Sequence, residues 1–209
     1  MFDLSLYLVT DRTLSQGRDI EWIVKEAVEG GVTMVQLREK DCSTRDFIEL
    51  AIRLKKSLLS HHIPLIINDR LDVALAADAD GLHIGQSDMP YQMARHLFGK
   101  NKIIGLSVEN MEQARQANSI DVDYIGISPV FNTATKTDTS APFGLEGIRE
   151  VMSFSNHPAV AIGGVNLLNT ANIMEAGSNG IAVVSAICSA NDPKQAALEL
   201  KKIILETRR

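Results

Sequence analysis

The chain has 209 residues, 45% hydrophobic and 22% charged, enough apolar material for one domain with a buried core and too much for a disordered or fibrous protein. Its 21 Lys+Arg against 26 Asp+Glu leave a net charge of −5, which argues against a dedicated nucleic-acid binder. Two cysteines, Cys42 and Cys188, make no disulfide framework, no apolar run approaches a membrane span, and the opening MFDLSLYLVTDR lacks the features of a signal peptide, so a cytoplasmic protein is expected.

In chain order, a short apolar run at 6–9 leads to a helical stripe at 20–28, with Ile20, Ile23, Val24, Ala27 and Val28 on one face. A run at 34–37 precedes a second helix at 47–59, and a run at 64–67 a third at 71–77. Runs at 81–84, 103–106 and 124–127 alternate with helices at 91–98, 111–117 and 146–154. The last two runs, 159–162 and 180–184, are followed by helices at 171–176 and 193–205. Each run is nearly continuous in apolar character, as strands covered on both faces should be. Asp19, Ser43, Asp88, Asn110 and Asn191 or Asp192 read as N-caps, Pro90 and Pro193 as first-turn residues, and Gly30–Gly31, Gly99 and Gly177 as helix stops. Eight strand–helix units exceed what an open doubly wound sheet usually holds. The expected fold is a single (β/α)8 barrel over residues 1–209.

In such a barrel the chemistry collects where strands run into helices. The second run ends in Gln36, Arg38, Glu39 and Lys40, and the third in Asn68, Asp69 and Arg70. The fourth leads to Asp88, the fifth ends in Ser107, and the loop after the sixth carries Asn132, Thr133, Thr135 and Lys136. The seventh meets Gly163–Gly164 and the eighth Val184–Ser185. Arg38, Lys40 and Lys136 supply cations from separate loops, which suits an anionic substrate. Asp69 and Asp88 end adjacent strands and suit Mg2+ shared with a polyphosphate; an acid–base pair and helix caps are the rival roles. The glycine turn and the eighth strand end suit a monophosphate. His83 sits inside an apolar run and reads as a hydrogen-bonded interior residue, and no zinc-binding spacing occurs. Cys42 reads as incidental, and Trp22 and the methionines as packing.

LYLVTDR at 6–12, QLREK at 36–40, IINDR at 66–70, GLHIGQSD at 81–88, SPVFNTATK at 128–136, AIGGV at 161–165 and VVSAI at 183–187 together resemble thiamine-phosphate synthases, in order and over residues 6 to about 193. The resemblance implies a Mg2+-dependent transferase that joins a hydroxymethylpyrimidine diphosphate to a thiazole phosphate and releases pyrophosphate. It implies that Gln36, Arg38, Lys40, Asn68, Ser107 and Lys136 contact the diphosphate substrate, with Arg38, Lys40, Ser107 and Lys136 catalytic. It assigns Asp69 and Asp88 to the metal, Thr133 and Thr135 to the thiazole phosphate, and Gly164, Val184 and Ser185 to its phosphate. Leu37, Glu39 and Ala134 fall within the same substrate-binding segments. The chain departs from the family's pattern at Ser128 and Asn132, and neither change removes a charge. With no placed nucleophile or base, the residues favour a substitution in which the carbon–oxygen bond breaks before the thiazole attacks. Two other readings stay open, a thiazole tautomerase on the same barrel and a non-catalytic phospholigand-binding protein. The Asp69–Asp88 pair and the TATK loop weigh against the first, and the intact charged set against the second. Small-molecule partners are expected, with no nucleic acid or membrane; the pattern fixes no oligomeric state.

Overall fold

A computed structural model describes residues 2–133 and 141–208. Strands β1 (Leu6–Val9), β2 (Met34–Leu37), β3 (Leu65–Asn68), β4 (Gly81–Ile84), β5 (Ile103–Val108), β6 (Tyr124–Ile127), β7 (Ala159–Ala161) and β8 (Gly180–Val183) form a closed parallel barrel in chain order. β8 returns to β1 through the partners Leu6–Ile181 and Leu8–Val183, so the (β/α)8 expectation holds. Helices α1 (Ile20–Glu29), α2 (Thr44–Leu59), α3 (Leu71–Ala76), α4 (Tyr91–Phe98), α5 (Met111–Ala117), α6 (Gly144–Phe154) and α7 (Thr170–Glu175) connect successive strands. After β8 come a short helix α8 (Ser185–Cys188) and the closing helix α9 (Pro193–Thr207). The sequence pattern does not announce α8, because four residues are too few to display a helical period.

Strand alternation divides the apolar residues into two cores. Leu6, Leu8, Val35, Leu37, Leu65 and Ile67 point outwards and pack under the helices. Tyr7, Val9, Met34, Ile66, Tyr124, Val160 and Ala182 point inwards and fill the lumen. Inward glycines make the room: a Cβ on Gly105 would lie 2.1 Å from Cζ of Tyr124, and one on Gly81 2.5 Å from Cδ1 of Ile66. The lumen is therefore plugged by large side chains from below, and what remains open is the end towards which every strand runs.

Most of the expected punctuation is present. Asp19, Ser43, Asn110 and Asp192 accept hydrogen bonds from the amides of Glu21, Asp46, Gln113 and Gln195. Asp88 does not cap a helix: Pro90 holds the N-cap position of α4, and the Asp88 carboxylate instead accepts from the Gly85 amide at 2.7 Å. Asp69 is no cap either, since Arg70 precedes α3 and Asp69 adopts φ of 60°. β3 begins one residue later than the apolar run, because Pro64 has no N–H for the ladder although its carbonyl still accepts from Val35. Among the described residues no helix is long and apolar enough to cross a membrane.

Candidate active site

At the C-terminal ends of the strands lies a cavity of about 420 Å³. Gln36, Arg38 and Lys40 reach it from β2 and its loop, Asn68 and Asp69 from β3, and Asp88 from the β4–α4 loop. Ser107 joins from β5, Thr133 from the loop after β6, Gly164 after β7, and Val184 and Ser185 after β8. Leu37 and Glu39 do not line it. Leu37 lies on the opposite face of β2, in the outer core, and the Glu39 carboxylate is buried against Arg12 at 2.8 and 2.9 Å. Ala134, Thr135 and Lys136 lie outside the described residues.

The charged groups pair across strand ends. Lys40 Nζ stands 2.6 Å from Asp69 Oδ2, and Arg38 Nη1 2.8 Å from Asp11 Oδ2. Burial alone would raise Asp69, but the Lys40 ammonium and a hydrogen bond with Asp88 hold its carboxyl below the usual carboxylate range. Asp88 moves the other way: burial pushes it up, the Gly85 amide draws it back in part, and the neighbouring Asp69 adds to the rise. Two neighbouring carboxylates of this kind form an incomplete oxygen donor set, the pattern by which Mg2+ is held when substrate and water supply the rest. Asp69 is placed by a backbone in the left-handed region, sparsely populated for a residue with a Cβ, and pinned by its amide on the His83 carbonyl at 2.8 Å. Asp11, the partner of Arg38, carries no signal of its own in the sequence, because it lies beyond the first strand rather than at its end. Applying the same alternation to the first, where Val9 points inwards, leads on to Asp11.

Behind the cavity runs a buried polar chain. Gln36 Nε2 donates to the Tyr7 hydroxyl at 2.8 Å, which meets the Tyr124 hydroxyl at 2.8 Å. The Tyr124 oxygen lies 2.9 Å from Nδ1 of His83, whose Nε2 lies 2.9 Å from Ser107 Oγ. A histidine therefore does stand in the cavity wall, where the sequence offered no catalytic one. Burial holds its pKa down to about 4, so the ring is neutral, and both nitrogens are engaged by neighbours. Burial likewise raises both tyrosines. The sequence marks Tyr7 and Tyr124 only as apolar-run residues, since a phenol in a strand looks like packing until its partner across the barrel is known.

At the glycine end the backbone is left-handed and crowded. Gly163 and Gly164 have φ of 97° and 67°, and a Cβ on Gly164 would meet the Asn132 carbonyl oxygen at 2.7 Å and Phe131 Cβ at 2.9 Å. The close approach that excludes a side chain is thus made by the loop after β6. That loop is zipped to β7 by Val130 N to Ile162 O at 2.9 Å and Phe131 N to Gly163 O at 3.0 Å. Next to it, the Ser185 and Ala186 amides open α8, while those of Ile187 and Cys188 donate to the Val184 carbonyl at 3.2 and 2.8 Å.

A family model described as thiamine monophosphate synthase matches residues 6–187, a span that contains every residue of this cavity. The chain belongs to the thiamine monophosphate synthase family. It is 52% identical over 201 residues to the thiamine-phosphate synthase of Albidiferax ferrireducens, covering 96% of this chain and 92% of that one. It is 51% identical over 201 residues to that of Syntrophomonas wolfei, covering 96% of each. Among solved structures, the thiamine phosphate pyrophosphorylase from Pyrococcus furiosus superposes with a TM-score of 0.90 at 39% identity, over 98% of this chain and 96% of that one. A 3-hexulose-6-phosphate synthase, at 16% identity and a TM-score of 0.68, shares the fold alone. As a member of the thiamine monophosphate synthase family the chain is a transferase.

Proposed function

We propose that the protein is a thiamine-phosphate synthase that joins 4-amino-2-methyl-5-(diphosphooxymethyl)pyrimidine to thiazole phosphate, giving thiamine phosphate and pyrophosphate. The observation that carries this reading is the meeting of Arg38, Lys40, Asp69 and Asp88 in one cavity that also opens onto the glycine turn and the start of α8. That cavity has one charged end suited to a diphosphate and one backbone-rich end, near Gly164, Val184 and Ser185, suited to a monophosphate. Mg2+ would be held by Asp69 and Asp88 and would supply charge neutralisation to the diphosphate. In this reading the carbon–oxygen bond between the pyrimidine methylene and the diphosphate breaks, pyrophosphate leaves with the electron pair, and the thiazole nitrogen forms the new carbon–nitrogen bond.

The role of the chain's own residues is to bind and hold. Arg38 and Lys40 take the departing anion, and its arrival releases them from Asp11 and Asp69 at little cost because one anion replaces another. The neutral, doubly engaged His83 is unsuited to act as a base, which fits a substitution needing none. Lys136 and Thr135 join the same set in this reading. The test is incubation of the purified protein with both substrates and magnesium. Equal amounts of thiamine phosphate and pyrophosphate are expected; a thiazole isomer without pyrophosphate, or bound ligand without product, would replace this reading with an isomerase or a binding protein.

A further inference from the structure

The buried chain behind the cavity has a direction. Gln36 gives its amide N–H to Tyr7, so the Tyr7 hydroxyl accepts there and its own hydrogen goes to the neighbour recorded for it, the Tyr124 oxygen. Tyr124, having accepted, donates to Nδ1 of His83. The imidazole proton is then on Nε2 and is donated to Ser107 Oγ. Ser107 accepts from behind and turns its hydrogen to the cavity, while Gln36 donates behind and turns Oε1 to the cavity. Tyr7 and Tyr124 are 1% and 0% exposed, so no solvent is available to relieve a mismatched link. Turning over either end would reverse every member.

We propose that Tyr7, Tyr124 and His83 are positioning residues that fix Gln36 as an acceptor and Ser107 as a donor towards the cavity. The site then takes a flat heteroaromatic ring offering an amine to Gln36 and a ring nitrogen to Ser107. It rejects the oxo analogue, whose carbonyl and ring N–H invert that pattern. The ring preference rests on the aminopyrimidine reading above; the direction of the chain does not.

The chain is tested without substrate. In protein carrying isotope-labelled histidine, nitrogen NMR at neutral pH should find His83 protonated on Nε2 and bare on Nδ1; the opposite tautomer or a cationic ring overturns the proposal. Gln36→Glu places an acceptor where the donor stood. At mildly alkaline pH the His83 proton should move to Nδ1, three hydrogen bonds away, and adding Tyr7→Phe should cut the chain and restore the original tautomer. A His83 signal that ignores Gln36→Glu overturns the coupling. With ligands, the oxo analogue of the pyrimidine diphosphate should bind at least about a hundredfold more weakly than the amino compound. Tyr124→Phe should close most of that gap, whereas a merely structural tyrosine would weaken both ligands together and leave the gap unchanged, which would refute the specificity role. The expected tautomers in a protein that makes no thiamine phosphate would leave the chain standing and sink only the synthase reading.

Discussion

Asp88 shows how much one carboxylate does here. Its oxygen closes the β4–α4 loop on the Gly85 amide, and its charge sits against Asp69 inside the cavity wall. Asp88→Asn keeps an acceptor for Gly85 and removes the repulsion, so the folded state should lose nothing. Turnover should fall by about 100-fold, the scale on which a preorganised charge-stabilising group acts, and the magnesium concentration needed should rise. Unchanged turnover with an unchanged magnesium titration would show that Asp88 holds no metal. Its place beside Asp69 was legible in the sequence, because the third and fourth strands are neighbours in a barrel and each leads into a loop that carries a carboxylate. Tyr7, Tyr124 and His83 were not legible as a group. Their chemistry depends on partners 117 and 41 positions apart in the chain, and no local pattern records that.

At the scale of elements, the strands were readable because burial on both faces leaves an uninterrupted apolar run, and helices because their stripe repeats. What the pattern missed follows from the same rule: α8 is too short to repeat, and Asp88 resembles a cap because it precedes a helix while its side chain turns back to Gly85. Inward glycines are the less visible part of the strand code. Gly105→Ala would place a methyl 2.1 Å from the Tyr124 ring, and should cost about 1–3 kcal/mol as overpacking while pushing the Tyr124 hydroxyl off His83. Gly126→Ala meets His83 only at 3.4 Å, an ordinary contact, and should cost far less. Urea unfolding of the two variants decides the matter; equal losses would mean that the lumen yields more easily than its packing suggests.

For the whole molecule, the buried imidazole links stability to acidity. His83 is held neutral down to a pKa of about 4 against 6.5 when exposed, with burial as the main cause. Between those values the unfolded chain binds the proton and the folded one does not. Stability is therefore complete above the higher value and declines as pH falls towards the lower one, by about 3 kcal/mol in all. His83→Gln removes the titrating ring, so urea unfolding at neutral and acidic pH should give a shallower pH slope for the variant. Parallel slopes would show that His83 is not responsible.

The alternation along β2 carries a consequence for how this chain can change over generations. Gln36, Leu37 and Arg38 are consecutive, yet the first and third line the cavity and the second faces helices. Gaining or losing one residue inside the strand would turn the leucine into the cavity and the glutamine into the oil beneath α1 and α2. Chemistry and packing would fail in the same event. Descendants of this sequence can therefore revise its strands only letter by letter, while insertions and deletions are confined to the loops.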